Sequence, residues 1–299
     1  MSPSALISGR TEFAVRDYNL EATLASGQAF RWRQEPAGWE GVVNARWVRL
    51  QAGTRAIVAE TAQPPEDWEW LARYLQVAVD LQAVLAAFPS DPCLQAAVQS
   101  CRGLRLLKQD PWECLASFIL SSNKQIRQIE QVVARLCERW GEAVAVPSGH
   151  LARFAFPSAR RLAAGTETEL RACKMGFRAP YLLETARRIA SGVADLEAIG
   201  QMPVNEARRE LMKLPGVGRK IADCVLLFGF GFGEAFPIDV WMARALRRFY
   251  FPGQEPGLKH LQEFAEAHFG PFAGYAQQYL FHFMRCRVAR ASKRTDGRR

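Results

Sequence analysis

Leu214-Pro-Gly-Val-Gly-Arg-Lys-Ile-Ala-Asp223 is the stretch on which the reading of this chain turns. Before it, Val204 to Lys213 carries apolar residues at helical spacing, and a second helix is expected over Arg219 to Phe228. Pro215, Gly216 and Gly218 occupy the link. Two glycines permit a tight reversal and leave backbone amides uncovered by any Cβ. The amides of Gly216, Val217 and Gly218 then stand at the start of a helix, where unpaired N–H groups and the helix dipole favour an anion. The pattern is a helix–hairpin–helix over residues 204–229, which grips a DNA phosphate through backbone amides without reading base sequence. The plainer alternative, an ordinary corner between two helices, is opposed by the specificity of Leu-Pro-Gly-Val-Gly.

Working outward, Lys220 opens the second hairpin helix and would sit beside the bound phosphodiester. Asp239 follows Phe236-Pro237-Ile238 and precedes an amphipathic run, a good place for a helix N-cap. Each has a bland reading, surface cation and cap. Together they suit cleavage of an N-glycosidic bond: a neutral amine attacks C1′ of a deoxynucleotide to form a Schiff base, and a carboxylate stabilises positive charge developing on the sugar. Gly229-Phe-Gly-Phe-Gly233 superficially suggests a phosphate loop, but it follows a helix and not a strand, so that reading is rejected.

Composition agrees with a nucleic-acid partner. The 299 residues carry 39 Lys and Arg against 30 Asp and Glu, a net charge of +9, and 49% hydrophobic residues, enough for a core. Residues 1–100 hold eight Arg and eleven acids. The remaining residues hold thirty-one basic against nineteen acidic, so the basic excess lies in the last two thirds of the chain. The apolar run Cys224 to Gly233 is about half the roughly 20 residues of a spanning helix, and MSPSALISGR has no secretory pattern. Seven cysteines, none spaced C-x-x-C, indicate reduced thiols, as in the cytoplasm or nucleoid of a bacterium or the nucleus of a eukaryote. Without four clustered cysteines or zinc-spaced histidines, neither an iron–sulfur cluster nor a catalytic metal is expected.

The expected fold is α+β. A small antiparallel sheet domain occupies residues 1–104, with strands at Gly38–Val43, Trp47–Gln51 and Thr54–Val58, a turn at 44–46 and a helix from Pro65. After about residue 105 the strand signal ends. An all-helical body then spans 105–291, its helices including Pro111–Ile119, Ile126–Trp140, Pro180–Ser191 and Asp239–Phe249. Residues 292–299 form a basic tail expected to be disordered.

With the hairpin, Lys220 and Asp239 in place, the chain resembles the 8-oxoguanine DNA glycosylase family of the helix–hairpin–helix Gly/Pro–Asp superfamily. The resemblance is carried also by Ser26-Gly-Gln-Ala-Phe-Arg-Trp-Arg33, by Leu106 to Cys114 running on to Ser121-Ser-Asn123, and by Gly270-Pro-Phe-Ala-Gly-Tyr-Ala-Gln277. It covers almost the whole chain in order. It implies a bifunctional glycosylase and abasic-site lyase that excises 8-oxoguanine from duplex DNA, preferably opposite cytosine, in base excision repair. Lys220 would be the Schiff-base nucleophile and Asp239 its acidic partner. Gly27 would offer its carbonyl to N7–H of the damaged base, Gln277 would bind the pairing edge, and Phe281 and Cys224 would sandwich the flipped ring. Asn123 would fill the hole, Arg178 would donate to the widowed cytosine, and Phe177 stands where the family usually wedges a tyrosine. The enzyme is expected to act as a monomer without a required cofactor; a structural cation on the hairpin carbonyls near Leu214 and Val217 is left open.

Several positions depart from the family. Gln128 replaces an arginine that helps read the opposite base, and neighbouring Arg127, a helical step of about 100° away, is not an automatic substitute. Lys124 and Gln125 replace asparagines, Trp241 a histidine beside Asp239, and Met284 an acidic residue near the base pocket. Relaxed opposite-base selection is the expected consequence of the first changes. Two rival readings remain. A glycosylase of alkylated bases that uses water has no need of Lys220, and a non-catalytic hairpin module serving as a damage sensor has no reason to keep Asp239 with Gly27 and Gln277.

Overall fold

The computed structural model of the chain describes residues 8–122 and 124–296. Five strands, β1 (Gly9–Ala14), β2 (Arg33–Glu35), β3 (Gly38–Val43), β4 (Arg46–Ala52) and β5 (Ala56–Thr61), form one antiparallel sheet in the order β1-β5-β4-β3-β2. The β3–β4 connection is a two-residue hairpin in which Asn44 and Ala45 both have positive φ, 46° and 59°, so its twist matches the flanking strands. β5 starts two residues later than its sequence suggested, because Gly53 donates to the Ala56 carbonyl and the turn consumes Thr54 and Arg55. The first helix expected from Pro65 begins at Glu69.

Two apolar clusters meet beneath the sheet. One joins Trp32, Val48, Leu50 and Ile57 to Leu71 and Leu75. The other is the helical core, and it takes in Phe30, Leu81, Leu94 and Cys101 from residues 1–104. The helices at 81–86 and 92–100 therefore pack with the helical body, the latter against the C-terminal helix Ala273–Asp296. That helix runs into the stretch expected to be disordered, since extending a formed helix through Arg, Ala and Lys needs no new nucleus. The strand signal also returns once: Ala143–Val144 pairs with Arg153–Phe154 in a short ribbon. No described helix is long and apolar enough to cross a membrane.

The helical body follows its periodicity closely. Ile126–Trp140 forms as expected, burying Ile129, Val132, Val133 and Leu136 on one stripe. The hairpin helices are Val204–Met212 and Arg219–Val225, the second continuing through a π-helical turn, Leu226–Phe230, whose Leu226 to Gly229 are buried. The Gly/Phe stretch dismissed as a phosphate loop is thus the end of this helix and the turn after it, with Phe230 and Phe232 half-buried against the core and Gly231 exposed. A buried ion pair pins the two hairpin helices together: Arg208 Nε donates to Asp223 Oδ1 at 2.6 Å, and Arg219 reaches the other carboxylate oxygen at 3.6 Å.

Candidate active site

A cleft of about 900 Å³ opens where residues from the 19–30 segment, the 121–129 loop, the second hairpin helix, residues 237–241 and the C-terminal helix converge. That size suits an organic ligand the size of a nucleobase and its sugar. Gly27, Lys220, Cys224, Asp239, Gln277 and Phe281 all line it. These residues run from Gly27 to Phe281, and only the fold brings them together.

Lys220 sits in the first turn of its helix, so the same backbone reversal that shapes the hairpin aims the amine. Its Nζ donates to Ser121 Oγ at 3.1 Å and lies 5.0 Å from the centre of the Phe118 ring. Ser121 Oγ itself donates to the Phe118 carbonyl at 2.7 Å, which turns its lone pairs toward the amine. One turn further on, burial pushes the Cys224 thiol up to about 12 against the pull of Lys220, so it presents a neutral wall and no competing thiolate. Asp239 is both cap and cleft residue: its Oδ1 accepts from the Met242 amide at 2.7 Å, which fixes the carboxylate at the start of Val240–Tyr250.

The opposite wall is held by residues that the sequence did not single out. Gly27 has φ +84°, a backbone that strains any L side chain, and a Cβ there would press on Ile126 Cδ1 at 2.5 Å and on an Arg285 nitrogen at 3.0 Å. The next residue, Gln28, is fully buried; its Nε2 donates to the carbonyls of Thr23 and Arg105, its Oε1 accepts from the Leu107 amide, and its carbonyl accepts from Gln109 Nε2. Arg285 and Gln278 donate to the Ser26 carbonyl at 3.0 and 3.3 Å. Gln28 lies inside a quoted motif, but nothing in one sequence separates a buried glutamine from a surface one. Gln277 is 5% exposed, and its Oε1 has no partner among the described residues. A buried acceptor left open in a cleft wall is costly unless something docks against it. Trp241 also lines the cleft, whereas Met284 is buried in the core and does not.

The remaining expected residues that the structure describes lie outside the cleft walls. Gly216, with φ +75°, packs under Tyr181, whose side chain a Cβ would meet at 2.9 Å. Gly218 caps the second hairpin helix with nothing near its Cβ position, an open approach to the amides behind it. The Val217 amide, expected to face a phosphate, instead donates to the Leu214 carbonyl at 3.1 Å, because the reversal closes as a turn there. Phe177 is 55% exposed, while Arg178 is 5% exposed with its guanidinium 4.2 Å from the Phe177 ring centre. Gln128 does not line the cleft; its Oε1 accepts from the Gln125 amide at 3.0 Å and is committed to starting the helix Ile126–Trp140. The cap position of that helix is Gln125; Asn123, expected to fill the hole, lies outside the described residues. Among the described residues no group of three or more His, Cys, Asp or Glu is placed to hold a metal ion.

The geometry has counterparts. Residues 10–115 match the model of the 8-oxoguanine DNA glycosylase N-terminal domain, and residues 116–270 that of the HhH-GPD superfamily of base excision DNA repair proteins. A probable N-glycosylase/DNA lyase of Methanothermobacter thermautotrophicus is 33% identical over 91% of this chain and 95% of its own. The N-glycosylase/DNA lyase of Saccharomyces cerevisiae is 30% identical over 77% of this chain and 68% of its own. The crystal structure of the Clostridium acetobutylicum 8-oxoguanine glycosylase/lyase, in complex with double-stranded DNA containing cytosine opposite 8-oxoguanine, superposes with a TM-score of 0.87 at 31% identity, over 94% of this chain and 98% of that one. With the two domain models matched one after the other and similarity maintained over most of the chain, this chain belongs to the HhH-GPD superfamily of base excision DNA repair proteins, in the family that carries the 8-oxoguanine DNA glycosylase N-terminal domain.

Proposed function

We propose that the protein excises 8-oxoguanine from double-stranded DNA, preferably opposite cytosine, and then cleaves the resulting abasic site. The observation that carries this reading is the single cleft onto which a lysine amine, a capped carboxylate, a glycine turn and a buried open amide all face. The hairpin amides at Gly216 and Gly218 hold the backbone phosphate, and the target nucleotide swings out of the stack, at a cost of a few kcal/mol. Its ring enters between Cys224 and Phe281. The open Gln277 Oε1 accepts from N1–H and the exocyclic amine of the purine, replacing the hydrogen bonds lost on flipping. The Gly27 carbonyl accepts N7–H, which the oxidised base has and guanine lacks. One bond gained against one repulsion suffered is worth about 1–3 kcal/mol, real but partial discrimination.

Lys220 Nζ then forms a bond to C1′ while the C1′–N9 pair departs with the purine, and Asp239 stabilises the positive charge that grows on the sugar. Ring opening gives the Schiff base, and loss of a C2′ proton expels the 3′ phosphate. Ser121 holds the amine in position before attack. No cofactor enters this scheme; a cation on the carbonyls near Leu214 and Val217 would only reinforce the phosphate grip. Borohydride trapping on duplexes with and without 8-oxoguanine opposite cytosine tests the reading. A covalent protein–DNA adduct is expected with the damaged duplex alone, and equal trapping on both, or none, would reject it.

A further inference from the structure

Lys124 touches two functional parts of the molecule at once. It lies in the loop before the helix Ile126–Trp140 and lines the cleft beside Ser121, Gln125 and Arg127. Its Nζ also reaches the Lys174 carbonyl, at 3.4 Å, in the loop that carries Phe177 and Arg178. Lys174 and Gly176 both adopt left-handed backbone, φ +63° and +61°, and this folds the loop so that Phe177 projects while Arg178 turns inward. Arg178 Nε has no partner among the described residues, and none of the described ion pairs includes Lys124, Lys174 or Arg178. Burial and then the Arg178 charge press the Lys124 ammonium below its ordinary value, and burial does the same to Arg178, with no carboxylate opposing either.

Two cations held together without an acid are unfavourable until acceptors come between them. Lysine and arginine donate only. With Phe177 as the wedge and Arg178 beside it, as the proposed function has them, the base left unpaired by flipping comes to this side, and the four bases differ in what they show. Cytosine presents two adjacent acceptors, N3 and O2. Guanine presents two adjacent donors, N1–H and N2–H, beside O6, while thymine has N3–H and adenine has its N6 donor beside N1. A donor-only pair therefore selects cytosine and rejects guanine most strongly. Gln128 is not available for this work, because its amide is committed to the helix start.

We propose that Lys124, acting with Arg178, reads the base opposite the lesion by donating to the acceptor edge of cytosine, so that the second reading cation comes from position 124 and not 128. This rests on the proposed function for its setting, but binding tests it separately. Affinity should be measured for duplexes containing a stable tetrahydrofuran abasic analogue opposite each of the four bases, with wild type, Lys124→Met and Lys124→Arg. The preference for cytosine over guanine should fall about tenfold in Lys124→Met, the worth of a charge-assisted bond over a lost one, and should largely survive in Lys124→Arg. An unchanged preference in Lys124→Met overturns the proposal. So does an equal loss against all four bases with a shallower salt dependence, which would make Lys124 a phosphate contact. Failure of the wild type to excise 8-oxoguanine, with the binding preference intact and lost in Lys124→Met, would reject the substrate reading and leave this assignment standing.

Discussion

Around Gly27 nearly every polar group is matched, whereas around Arg178 a buried donor stands open and no acid faces the cations. The first region is held by Gln28, Gln109, Gln278 and Arg285, each bonded to a backbone carbonyl or amide that the turn would otherwise leave buried and unpaired. The second carries an exposed phenyl ring, a buried guanidinium with an open Nε, and a lysine without an acid partner. Rigid placement serves a pocket that must tell one base from a near-identical one, because discrimination by a single hydrogen bond is lost if the acceptor can move. An open edge serves a surface whose partner groups arrive with the DNA.

That contrast can be broken in graded ways. Lys220→Gln removes the amine that the hairpin places over the cleft, and should abolish the borohydride-trapped adduct while damaged duplex still binds. Adduct at wild-type yield would mean that another amine is the nucleophile. Asp223→Ala should leave Arg208 buried without its carboxylate and cost about 3–5 kcal/mol of stability, measured by denaturant unfolding. A loss below about 1 kcal/mol would show that the hairpin helices are held by packing alone.

Gly27→Ala tests the matched region directly. The φ of +84° and the Ile126 contact should cost about 1–2 kcal/mol, and excision should fall further than stability implies because the turn carbonyl shifts. Parallel small losses in both would mean that the carbonyl does not read the base. Gln128→Ala is the mildest. It removes the bond to the Gln125 amide and should lower stability by about 1 kcal/mol without altering opposite-base preference. A changed preference would return Gln128 to the reading edge.

Much of this molecule is legible locally. Leu-Pro-Gly-Val-Gly between two amphipathic runs specifies the hairpin, because glycine conformations and helix starts depend on neighbours a few positions away. Asp239 as a cap and Ile126–Trp140 as a helix follow for the same reason. The β1 and β2 strands and the Ala143–Val144 ribbon were not legible, since short strands are selected by their pairing partners and not by their own pattern. The site divides in the same way. Residue types and spacing pointed to Lys220 and Asp239, and the family resemblance pointed to the pocket. Only the tertiary structure decided that Ser121 steadies the amine, that a buried glutamine locks the glycine turn, that the Val217 amide closes its own turn, and that Gln128 serves a helix while Lys124 reaches the Lys174 carbonyl. Each of those is a choice of hydrogen-bond partner, mostly across distant segments, and a polar side chain's partner is set by whatever the fold brings within about 3 Å of it.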